Sequence, residues 1–240
     1  MGRSSLALIL SGAAGSLVLY WLSIGLAAPR QEGWGARVAL RGAARPWLTG
    51  LALGAGLAAG AGAGVLLMHA VRFSAGRRAV ADLAGWSLGY LVIAAAQELA
   101  LRGWLLWRLQ RAFGDWAAAA ITSGVFVAIH LWRPGESIAG GCGLFLLGLL
   151  LALGVLRTGS VWWAAGLHGG WNIVQALGLG FADAGAKPVA GVLLARTQGA
   201  ALLSGGGTGL EGSLAGLLVL AAATTVLGLR LRTQSLAASR

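Results

Sequence analysis

The stretch AGGCGLFLLGLLLALGVL, residues 139–156, holds no charged residue, no proline and no hydroxyl side chain. A helix needs about 20 mostly apolar residues to cross a hydrocarbon core, and this run comes close to that length. Its apolar residues are continuous rather than alternating, so it reads as a membrane helix and not as a barrel strand. The pattern recurs on both sides. Spans are expected at 5–28, 47–71, 84–107, 116–132, 161–180 and 212–229, which makes seven with 139–156. A half-buried helical segment near 189–203 would be an eighth element. Composition agrees, since hydrophobic residues make up 58% of 240 positions and charged residues 10%, with a mean hydropathy of +0.79. A soluble domain carries about 25% charged residues, so there are too few charges here to cover a water-exposed surface. The fold class is an all-α, polytopic transmembrane bundle, one membrane domain over 1–240.

A formal charge of +11 raises the question of nucleic acid. The basic residues lie mainly between apolar runs, where headgroup contacts and the positive-inside rule put them. No basic stripe with interleaved aromatics is present, so the bilayer and not nucleic acid is the expected partner. Seven basic residues fall on one side of the seven spans and ten on the other, which places the C-terminus in the cytosol. The run after Arg3 is longer than a signal-peptide core, and Ala27-Ala28-Pro29 is a poor cleavage site, so 5–28 reads as a helix. A single cysteine, Cys142, excludes an intramolecular disulfide and a thiolate metal cage. The Gly140-Gly141-Cys142-Gly143 run reads as helix packing. Gly54, Gly56, Gly60, Gly62 and Gly64 in the second span suit close helix–helix approach.

Ionisable groups inside apolar spans are costly and mark functional sites. Six polar residues stand out: Gln97, Glu98 and Arg102 in the third span, His130 in the fourth, His168 and Asn172 in the sixth. His69 sits near a span end beside Arg72 and reads as structural. Glu98 and Arg102 are four apart with the acid first, the favourable order for an ion pair on one helix face. That pairing would leave Glu98 a poor proton acceptor. Phe126 lies one turn before His130, where its ring can orient the imidazole. His168 and Asn172, again four apart, project together and offer donors of the kind that stabilise a tetrahedral oxyanion. They could equally form an interhelical hydrogen-bond clamp.

In order, these residues spell Gln97-Glu98-Leu99-Ala100-Leu101-Arg102-Gly103, then Phe126-xxx-His130, then His168-xxx-Asn172. The pattern resembles that of the CAAX-processing and bacteriocin-processing (CPBP) intramembrane endopeptidases, EExxxRG, FxxxH and HxxxN or HxxxD, over about 85–175. The resemblance implies a glutamate-type peptidase without cofactor, in a bacterial cytoplasmic membrane. Its substrate would be a peptide bond near the C-terminus of a membrane-anchored or lipid-modified protein. In that family the first Glu and first His activate a water, the second His and the Asn support the oxyanion, and the second Glu pairs with the Arg. The roles would fall here to His130, to His168 with Asn172, and to Glu98 with Arg102. The first Glu is replaced by Gln97, and an amide cannot take a proton from water. The chain could carry an introduced Glu-to-Gln change, could bind without cleaving, or could use Glu98 as the base.

Two other enzyme readings compete. Two histidines and a carboxylate could hold zinc, but there is no HExxH and an amide is a poor ligand. A cysteine transpeptidase would need Cys142, Arg157 and His168. A transporter or a catalytically dead binding protein could use the same cavity, although no internal duplication of a transporter kind is present.

Overall fold

The computed structural model describes residues 37–76, 80–186 and 191–238; the expected span at 5–28 lies outside them. In chain order the elements are α1 (Ala44–Leu67), β1 (Val71–Ala75), α2 (Val80–Glu98), a π-helical turn (Leu99–Leu105) and α3 (Leu106–Ala128). There follow α4 (Ile138–Thr158), α5 (Val161–Asn172), a second π-helical turn (Ile173–Gly178) and β2 (Leu193–Thr197). The short α6 (Ala201–Ser204), a 3-10 turn (Leu210–Gly212) and α7 (Leu214–Ala238) complete the order.

Among the described residues, four helical stretches are long and apolar enough to cross a membrane: Ala44–Leu67, Asp82–Ala128, Ile138–Thr158 and Leu214–Thr233. Six of the seven expected spans fall within the described residues, and the difference between six and four has two sources. Asp82–Ala128 is 47 residues long; as one straight rod it would measure about 70 Å, more than twice a hydrocarbon core of about 30 Å. It is not straight. Gly114 has φ 80° and ψ 173°, a break in the helix at a residue free to adopt it. The Arg102 guanidinium carbon lies 4.8 Å from the Phe126 ring centroid, whereas those positions would be about 36 Å apart on an unbroken helix. The chain therefore doubles back at Gly114, and 84–107 and 116–132 are its two arms. The second source is α5, which is buried along almost its whole length. Together with its π turn it forms a central helix enclosed by the others.

Packing around α5 depends on glycine. A Cβ on Gly50 or Gly54 would run into the backbone of Trp163 or Leu167, and one on Gly166 or Gly170 into the backbone of Trp47 or Leu51. Missing side chains on both helices let the α1 and α5 backbones meet. Of the five glycines singled out in α1, Gly54 makes such an approach, Gly62 and Gly64 lie against the side chains of Leu179 and Ala215, and Gly56 and Gly60 face open space. Helix α4 is set by its ends: the Ser137 hydroxyl accepts the Gly140 N–H at 3.0 Å, and Gly159 at φ 68° closes the C-terminus.

The segment near 189–203 is not the expected half-buried helix. Leu193–Thr197 is a strand paired antiparallel with Val71–Ala75, with Phe73 opposite Ala195, and α1 ends at Leu67 rather than 71. Residues 71–76 and Leu177 of the same chain supply the partners a local helix would have supplied. Gly76 N–H donates to Val192 O at 2.9 Å, and Val192 N–H to Leu177 O at 2.7 Å. Such pairing between distant segments is not legible as a local periodicity in the sequence.

Candidate active site

The two π turns begin immediately after motif residues, one following Glu98 and one following Asn172. Such wide turns in a helix occur often at functional sites because they redirect side chains locally. The first contains Arg102. Helices α2 and α5 run antiparallel: Glu98 meets His168, while Tyr90 and Ile93 cluster with Ile173, Ala176 and Leu177 further along. Gln97, the last residue but one of α2, and Asn172, the last of α5, are both buried.

A fully buried charge node holds the site together. Glu98 Oε1 accepts from Arg102 Nη1 at 3.1 Å and from His168 Nδ1 at 2.9 Å. Arg102 Nη2 donates to Gly148 O at 3.1 Å, and the guanidinium lies over the Phe126 ring. Glu98 and Arg102 have no exposed surface. The Arg is thus met by a carboxylate, a carbonyl and an aromatic face, contacts a buried cation requires. Gly148 makes this possible, since a Cβ there would come within 3.1 Å of Arg102 Nη2 and 3.0 Å of Ser123 Cβ.

Phe126 is the common wall of the two imidazoles. Its ring centroid is 4.7 Å from that of His130 and 5.5 Å from that of His168, both edge-on. The histidines therefore sit within about one helix diameter of each other. His130 Nδ1 donates to Phe126 O at 2.7 Å, because a carbonyl can only accept. His130, His168, Asn172 and Gln97 retain 4%, 3%, 6% and 9% of their surface, whereas Glu98 and Arg102 retain none. Among the described residues, the buried Glu98 Oε2 and Arg102 Nε have no hydrogen-bond partner. His69 lies outside this group, exposed in the turn after α1 at φ 55°.

The sequence reading gave Glu98 a single partner. Its second, His168, lies 70 positions away and could not be read from helical spacing. A further polar layer was also missed. Buried Glu211 accepts from Trp171 Nε1 at 2.9 Å and Gln175 Nε2 at 2.7 Å, while Gln175 Oε1 accepts the Leu210 N–H at 3.0 Å. Gln175 falls inside the span expected at 161–180, so the cost of a polar group in lipid would have flagged it. Glu211 stands one residue outside an expected span and gave no such signal. Among the described residues, no three side chains of His, Cys, Asp or Glu converge as a metal-binding group. Among the described residues, the carboxylate in contact with His168 is Glu98, which Arg102 also engages.

No curated protein and no solved structure matches the chain. Residues 79–174, which include all six motif positions but less than half of the 240 residues, match the family model described as Type II CAAX prenyl endopeptidase Rce1-like.

Proposed function

We propose that the chain is a multi-pass intramembrane endopeptidase of glutamate type, in which Gln97 occupies the base position and turnover is slow. Its substrate is a membrane-anchored or lipid-modified protein, cut near the C-terminus. The observation that carries this reading is the convergence of His130 and His168 on one Phe126 ring beside Glu98 and Arg102, inside a segment that matches a CAAX-type peptidase family. His130, His168, Asn172 and Gln97 keep residual exposure where Glu98 and Arg102 keep none, which suits groups that meet a water and a peptide carbonyl. Gln97 and His130 face the water. The Asn172 carboxamide donates to the developing oxyanion. Glu98 and Arg102 brace the three helices without meeting solvent.

The test exchanges one amide for one carboxylate. A positioned base typically contributes ~10²–10⁴ in rate, so Gln97→Glu raises hydrolysis by about that factor on a panel of membrane-anchored peptides. Adding His130→Ala removes the gain. A folded Gln97→Glu variant that binds a peptide tightly and never cuts it would favour a binding protein on the same scaffold.

A further inference from the structure

One oxygen of Glu211 holds two side chains of the central helix. Its Oε1 accepts from Trp171 Nε1 at 2.9 Å and from Gln175 Nε2 at 2.7 Å. Gln175 answers with its own Oε1, which accepts the Leu210 N–H at 3.0 Å. The Glu211 residue is 1% exposed, and burying a carboxyl costs more than burying an apolar side chain of similar size. Packing alone does not account for it. Gln175 and Glu211 both lie beyond residue 174, where the family match ends.

The turn that carries Glu211 is itself held in place. The Ser213 hydroxyl donates to Leu210 O at 2.7 Å and accepts the Gly216 N–H at 3.0 Å, which caps α7. Gly143 on α4 leaves room for the Glu211 backbone, since a Cβ there would run into Glu211 O. From this base, Glu211 reaches the two residues that bracket Asn172. Trp171 precedes Asn172 by one position and Gln175 follows it by three, inside the π turn that begins at Ile173. Four residues upstream, His168 is bonded to Glu98. Helix α5 is therefore pinned to α2 at His168 and to the 3-10 turn at Trp171 and Gln175. A helix pinned at two levels cannot turn about its axis, and such a turn is what would swing the Asn172 carboxamide. Functional side chains keep their aim only when the groups behind them are locked in this way.

We propose that Glu211 is a positioning residue for Asn172, acting through Trp171 and Gln175 to set the rotation of α5 where the π turn begins. The inference rests on the peptidase reading above, in which Asn172 donates to the oxyanion. Glu211 touches neither water nor substrate. Its Oε2 has no hydrogen-bond partner among the described residues, so the amide oxygen of a glutamine can take over the Oε1 contacts.

The test uses the full-length protein in the Gln97→Glu background with membrane-anchored peptides. Glu211→Leu should lower kcat about 10²-fold, the scale for a catalytic group displaced by ~1 Å. KM should stay in place, because an oxyanion donor acts in the transition state and not on bound substrate. Glu211→Gln should restore most of the rate. Trp171→Phe deletes one of the two donors and should give a smaller loss of the same kind, a readout that survives if Glu211→Leu does not fold. With Asn172→Ala added, both changes should cost little further, because the group they position is gone. Losses repeated in full without Asn172, or carried by KM, overturn the inference. Nitrogen NMR of ¹⁵N-tryptophan-labelled protein in micelles reads the brace without activity, with Trp171→Phe for assignment. The Trp171 indole N–H should exchange slowly in the parent and in Glu211→Gln, and quickly in Glu211→Leu; equal protection in all three also overturns the inference. If Gln97→Glu cleaves and the losses ignore Asn172, the peptidase reading stands and this inference falls. If the indole responds as expected and Gln97→Glu cleaves nothing, the peptidase reading falls and takes this inference with it.

Discussion

Arg102→Met isolates the charge node from the chemistry. The Met side chain is close to Arg in length and fits the same apolar walls, Phe126 and Gly148 among them. It cannot supply the 3.1 Å bond to Glu98 or the 3.1 Å bond to Gly148 O. Glu98 would remain fully buried with His168 as its one remaining donor. Removing one partner of a buried ion pair typically costs ~3–5 kcal/mol, mostly the penalty of the stranded charge. The lost contact of the guanidinium with Phe126 adds to that cost rather than offsetting it. Glu98→Gln strands Arg102 in the same way, although the amide oxygen can still accept. The double variant strands nothing, and replacing both members of such a pair is often near neutral. It should therefore be more stable than either single variant. Eleven tryptophans, with Trp171 fully buried, give a fluorescence signal for unfolding in mixed micelles titrated with a denaturing detergent. An Arg102→Met protein within ~1 kcal/mol of the parent would refute the reasoning. So would a double variant whose loss equals the sum of the two singles.

Other changes test the surrounding structure. Gly148→Ala places a Cβ 3.0 Å from Ser123 Cβ and 3.1 Å from Arg102 Nη2, so overpacking should cost ~1–3 kcal/mol; unfolding in the same micelles reads it. Gly60→Ala, with nothing within 4 Å of its new Cβ, is the control and should gain ~0.5–1 kcal/mol from helix preference. Asn172→Ala in the Gln97→Glu background should slow hydrolysis ~10²–10³, the usual loss for one oxyanion donor. Elemental analysis should find no stoichiometric zinc in the purified protein, and chelators should leave Gln97→Glu cleavage unchanged; one zinc per chain, lost on His130→Ala or His168→Ala, would favour a metallopeptidase.

Composition and run length alone placed this chain in a bilayer, because the cost of charge in hydrocarbon does not depend on where helices meet. The same cost drew attention to Gln97, Glu98, Arg102, His130, His168 and Asn172 before any helix was positioned, and four-residue spacing was enough to pair Glu98 with Arg102. Spacing works only within one helix, and everything beyond it was decided by tertiary structure. The reversal at Gly114 turned one helical stretch into two arms and set Phe126 over Arg102. Segment 193–197 became a strand because the chain leaving α1 offered backbone partners. Glu98 acquired His168 because glycines on α5 and its neighbours let helices approach closely enough for a 2.9 Å bond. That bond joins residues 70 positions apart, and spacing along one helix holds no record of it.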